Sequence, residues 1–139
     1  MEDSLFTKII KGDIPCHKIY EDDKTFAFLT INPVLPGHVL VIPKKQVDHL
    51  EDLSAEDYHA VFSTVQKVSH RVKEVFKTDR VILSVMGFEV PHAHVHVVPS
   101  SSGNDYIVNS YNHAKLALEG NAPQADDKEL AEIAQKLAF

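Results

Sequence analysis

Pro91-His92-Ala93-His94-Val95-His96-Val97-Val98-Pro99 is the stretch on which the reading of this chain turns. Side chains alternate faces along a strand, so His92, His94 and His96 are expected on one face, with Ala93, Val95 and Val97 turned to the core. A third of the nine histidines fall in these five positions, and three explanations are open. Solvated histidines on an exposed sheet face would be chance, but histidine is not a strong strand former. A metal could take two of them. The outer pair, however, would lie about 13 Å apart at the backbone, and metal–imidazole bonds are only about 2.0–2.1 Å, so all three would need a bend or bulge. The third explanation is nucleophilic and acid–base catalysis, in which one imidazole attacks and its neighbours orient it and move protons. Mutual repulsion also keeps such an imidazole neutral near physiological pH. The pattern favours this third reading.

Upstream, residues 5–11 read as a short helix with Ser4 as N-cap and Gly12 as stop. Strands are expected at 18–21 and 25–30 around the turn Asp22-Asp23, and at 39–42 before Pro43. Asn32-Pro33-Val34-Leu35-Pro36-Gly37 cannot be regular structure. Ser54 caps the one long helix, with Asp57 three residues on. Its apolar face is Tyr58, Val61, Phe62, Val65, Val68, Val72, Val75 and Phe76, at spacings of three and four. Strands at 81–86 and 92–98 flank a turn near Gly87, and a mixed polar stretch follows Gly103. A closing helix at 127–137 carries Leu130, Ile133, Ala134 and Leu137. Hairpin-connected strands with these helices predict an α+β domain on an antiparallel sheet.

The totals narrow the function classes. A chain of 139 residues suits one domain with its own core. Apolar residues at 44% and charged residues at 24% fit neither a disordered tail nor a membrane span. The acidic start Met1-Glu2-Asp3 does not resemble a secretory leader, and the single cysteine, Cys16, fits a reducing compartment, so a cytoplasmic protein is expected. A net charge of −6 argues against broad nucleic-acid binding.

The run His92-Ala93-His94-Val95-His96-Val97-Val98 resembles the signature of the histidine triad (HIT) family, in its nucleoside phosphoramidase-like branch. Phe6-Thr7-Lys8-Ile9-Ile10-Lys11-Gly12-Asp13-Ile14-Pro15 and Pro36-Gly37-His38-Val39-Leu40-Val41-Ile42-Pro43-Lys44-Lys45 resemble the family's N-terminal helix and central strand. The resemblance implies one HIT-like domain over 1–139, with its core at 4–99 and an extension at 100–139. Its fold would be α+β, a five-stranded antiparallel sheet with one long helix and short terminal helices. It implies hydrolysis of a P–N or P–O bond at the α-phosphate of a purine nucleotide, releasing AMP or GMP, with nucleotidyl transfer as a variant. His94 would be the nucleophile, His96 would serve the phosphate and leaving group, and His92 and His38 would fix the ring of His94. Phe6, Ile9, Phe28, Leu29 and Ile31, with Leu5, would line the base site. No cofactor or metal is expected. A homodimer joined through the long helices and sheet edges is expected, with neither nucleic acid nor membrane as partner.

Several positions depart from the family pattern. Thr30 stands where an acidic residue usually binds the ribose, with Asn32 as a substitute. The link 86–90 is short, and Glu89 stands where relatives often carry Ser or Thr, so polyphosphate substrates are expected to be disfavoured. Ser4 and Thr7 replace the cysteines that hold structural zinc in some relatives. Lys44 and Lys45 are candidate phosphate ligands or simply solvated lysines. Two alternatives follow: a nucleotide-binding regulatory protein with little turnover, and a histidine-based metal-binding module.

Overall fold

The computed structural model describes all 139 residues. In chain order the elements are α1 (Leu5–Ile10), β1 (Lys18–Glu21), β2 (Thr25–Leu29), β3 (Val39–Pro43), α2 (Ala55–Phe76), β4 (Arg80–Ser84), β5 (Val95–Ser100), α3 (Gly103–Leu118) and α4 (Asp127–Leu137). The strands form one sheet in the order β1-β2-β3-β5-β4, with every pairing antiparallel. This is the expected α+β fold on a five-stranded antiparallel sheet.

Both faces of the sheet are buried, and the period-two alternation assigns residues to each. Ala27, Leu29, Val39, Val41, Val95 and Val97 point to one side. There they meet Val61, Val65, Val68 and Val72 of α2, and Leu130 and Leu137 of α4. Phe26, Phe28, Leu40 and Ile42 point to the other side and pack with Phe6 and Ile9 of α1. The large helix therefore occupies one face, and the shorter α1 leaves room for a cavity on the other. The caps fall where the sequence places them: Ser4 Oγ accepts the Thr7 amide, and Ser54 Oγ accepts the Asp57 amide.

Three expectations are corrected. The last strand begins at Val95, so neither His92 nor His94 is on a strand. Pro43 and Pro91 carry no N–H for a ladder. The His92 amide instead closes a turn on the Val90 carbonyl (2.8 Å), and the Ala93 amide reaches the Val47 carbonyl (2.7 Å). Similarly, β4 ends at Ser84 rather than at 86. The stretch after Ser102, read as a mixed polar tail, is α3, a helix of 16 residues. Ser102 caps it by accepting the Asp105 amide at 3.4 Å. None of its side chains is fully buried, and that is why no apolar stripe announced it. No helix is long and apolar enough to cross a membrane.

Candidate functional site

A cavity of about 380 Å³ lies on the α1 side of the sheet. Leu5, Phe6, Ile9, Phe28 and Ile31 form its apolar wall, with Leu29, whose side chain belongs to the core on the α2 side, at its border; Thr30, Asn32, His38, Glu89, His94 and His96 stand among its polar members. Of the candidate site residues, all but His92, Lys44 and Lys45 line this space. His92 is wholly buried beneath it.

The hydrogen bonds settle which ring nitrogens carry protons, because a carbonyl only accepts and an amide N–H only donates. His92 donates Nε2–H to the Pro43 carbonyl (2.8 Å) and accepts the Ser4 hydroxyl at Nδ1 (2.8 Å). His94 donates Nδ1–H to the His92 carbonyl (2.8 Å), so its Nε2 keeps a free lone pair. His38 accepts the Val34 amide at Nδ1 (3.0 Å) and donates Nε2–H to His96 Nδ1 (2.9 Å). His96 in turn carries its proton on Nε2. The irregular backbone at 91–94 matters here: outside the ladder, the His92 carbonyl is available to the ring two residues on.

The aromatic packing holds these rings in place. Phe6 meets the His94 ring edge-to-face, with centroids 5.0 Å apart, and packs on Phe28 at 5.4 Å. His94 and His96 lie 5.0 Å apart. Burial, then the imidazoles of His96, His113 and His94, pushes His38 down to about 3. Burial, then His94 and His113, pushes His96 down to about 4. Burial also lowers His92, against the opposing pull of the Pro43 carbonyl. The chemistry on offer is a nucleophile oriented by its Nδ1–H bond beside a fixed N–H donor, in a pocket with an apolar end.

Other expected residues fall differently. Thr30 Oγ1 accepts the Asn32 amide (3.1 Å), and Asn32 Nδ2–H donates to the Pro123 carbonyl (2.9 Å). Lys44 and Lys45 are drawn away from the cavity, to Glu21 (2.8 Å) and Asp57 (3.2 Å). Ser4 and Thr7 tie α1 to the triad, since Thr7 Oγ1–H donates to Gln46 Oε1 (2.7 Å) beside the Ser4–His92 bond. Tyr106, Ser110, His113 and Ala114 of α3 also line the cavity and escaped the sequence reading. Their spacing of three and four after the Ser102 cap was the available signal, but the mixture of aromatic, hydroxyl and imidazole hid it.

The sequence profile of the HIT domain family matches residues 11–103. This chain belongs to the HIT family. The HIT chain is 35% identical to a bis(5'-nucleosyl)-tetraphosphatase (asymmetrical) of Schizosaccharomyces pombe, over 78% of this chain and 68% of that one. It is 36% identical to an adenosine 5'-monophosphoramidase of the same yeast, over 68% of this chain and 72% of that one. Among solved structures it resembles a Hit-like protein from Bartonella henselae, described as involved in cell-cycle regulation and holding an unknown ligand. That match has a TM-score of 0.79 and 30% identity, covering 99% of this chain and 97% of the other. Relatives of this HIT chain thus carry the names of nucleotide hydrolases.

Proposed function

We propose that this HIT protein hydrolyses a purine nucleotide at its α-phosphate through a nucleotidyl intermediate on His94, with no metal in any step. The observation that carries the reading is the Nδ1–H bond from His94 to the His92 carbonyl, which leaves Nε2 bare at the cavity. The base lies against Phe6, Ile9, Phe28, Leu29 and Ile31, and the ribose near Thr30 and Asn32. His94 Nε2 bonds to the α-phosphorus as the bond to the leaving nitrogen or oxygen breaks. The ring becomes positive, and the His92 carbonyl, already placed, stabilises that charge. His96 Nε2–H hydrogen-bonds the phosphoryl group and the leaving atom, while His38 and His92 hold the two rings in register. Water then attacks phosphorus, displaces His94 and releases the nucleoside monophosphate.

The chain acts as one unit in this proposal, because Leu130 and Leu137 of the C-terminal α4 belong to the same core as the sheet. A cytoplasmic homodimer is proposed as well. Strand β4 is a sheet edge, and Leu83, Val85, Met86 and Phe88 lie exposed on and after it.

The test is AMP release from an adenosine phosphoramidate and from a diadenosine polyphosphate, with chelator present, for the protein and its His94→Ala variant. Chelator-resistant release that vanishes in the variant supports the reading. Tight nucleotide binding without release would favour a regulatory binder instead, for which the internal commitment of Thr30 and Asn32 gives a reason.

A further inference from the structure

The proposed reaction leaves one imidazole of the cavity without a role. His113 lies on α3, past residue 103 where the family match ends, yet its ring shares the cavity with His38, His94 and His96. It donates Nε2–H to the Asn32 carbonyl (2.9 Å), so the neutral ring keeps Nδ1 as an acceptor. Its charge is felt by His38 and His96, whereas buried His92 feels only that of His94. His113 thus lies among His38, His96 and the Asn32 carbonyl, and His96 is the ring that meets the leaving atom in the proposed reaction.

The charges around the cavity make that position consequential. No Lys or Arg lines it; its titratable groups are four imidazoles, Glu89, Tyr106 and Cys16. Three of the imidazoles cannot take a proton without damage. His38 Nδ1 must accept from Val34, His96 Nδ1 must accept from His38, and a protonated His94 has no lone pair. Protonating His113 at Nδ1 leaves its bond to Asn32 intact. It is the one imidazole of the cavity that can carry a positive charge while the other three keep their roles.

We propose that His113 is a specificity-determining residue whose protonated ring binds a phosphate on the leaving-group side. It favours nucleotides whose leaving group is itself a phosphate over those that release an amine. The proposal rests on His94 as nucleophile.

The test compares kcat/KM for a diadenosine polyphosphate with that for an adenosine phosphoramidate, at about pH 6 and about pH 8, where histidine changes charge. The protein, His113→Gln and His113→Lys are assayed in parallel. The ratio should rise about three- to tenfold on acidification in the unaltered protein, the size expected of one nearby charge. In His113→Gln, whose amide still donates to Asn32, it should stay flat. In His113→Lys it should be raised at both pH values. An equal rise in His113→Gln, or an unraised ratio in His113→Lys at the higher pH, would overturn the proposal. Turnover surviving in His94→Ala would instead overturn the reading beneath it.

Discussion

His38 Nε2 lies 2.9 Å from His96 Nδ1, and this bond joins the loop after β2 to β5, which of the triad carries His96 alone. The backbone amide of Val34, 3.0 Å from the other nitrogen of His38, decides its direction. A peptide N–H thereby dictates, through two rings, which nitrogen of His96 presents a proton to the cavity.

Replacing His38 with alanine removes an acceptor from Val34 and a donor from His96. Stability should fall by about 1–3 kcal/mol, the cost of leaving buried polar groups unpaired. Turnover should fall about 10- to 100-fold, because His96 loses its fixed tautomer. Urea unfolding and steady-state kinetics on His38→Ala read both effects, and unchanged kcat would sever His38 from the mechanism.

Stability should depend on pH in a defined direction. In the unfolded chain the rings titrate near their ordinary value of about 6.5, whereas folded His38 and His96 sit at about 3 and about 4. Below about pH 6.5 the unfolded state therefore binds protons that the folded state refuses. The contribution is complete above that pH and is lost as pH falls toward 4, at up to about 1.4 kcal/mol per pH unit for each ring. Urea midpoints measured from pH 7.5 to 4.5 should fall accordingly; a level profile would mean that the rings are not held neutral.

Ser4 serves two elements at once, capping α1 through Thr7 and holding His92 Nδ1. Ser4→Ala should cost about 1–2 kcal/mol of stability and lower kcat by less than His94→Ala does. A variant destabilised but catalytically intact would show that His92 manages with its Pro43 anchor alone.

Gly37, next to His38, has φ of +88°, and a Cβ there would lie 2.7 and 2.9 Å from ring atoms of Phe76 and 3.0 Å from Pro99. Gly37→Ala should destabilise by about 2–4 kcal/mol, from left-handed strain plus overpacking. A thermal midpoint within a degree of the parent would refute this.

Glu89 is an exposed carboxylate at the cavity wall. Glu89→Ser should raise the preference for polyphosphate over phosphoramidate about two- to threefold at low salt, with the gain shrinking as salt is added. An unchanged preference would leave Glu89 a bystander.

The sequence by itself determined the sheet and its two buried faces. The unbroken apolar runs Phe26-Ala27-Phe28-Leu29 and Val39-Leu40-Val41-Ile42 mark strands buried on both faces, and the three-and-four spacing of the α2 valines marks a helix with one apolar face, each a local pattern. The same holds for the caps at Ser4 and Ser54, where a short side chain meets amides of its own first turn. The histidine cluster was legible as a site, but the geometry inferred from strand alternation was wrong for His92 and His94. Only the tertiary structure brought Ser4, Val34 and Pro43 to the rings, and those contacts decide the tautomers of His92, His38 and, through His38, His96, whereas His94 takes its own from the His92 carbonyl two residues away. Only the tertiary structure set His113 in the cavity, since α3 has no apolar period and takes its place from its neighbours. Local patterns decide which residues are buried. Proton positions depend on partners as far apart in the chain as residues 4 and 92, and no local pattern encodes those.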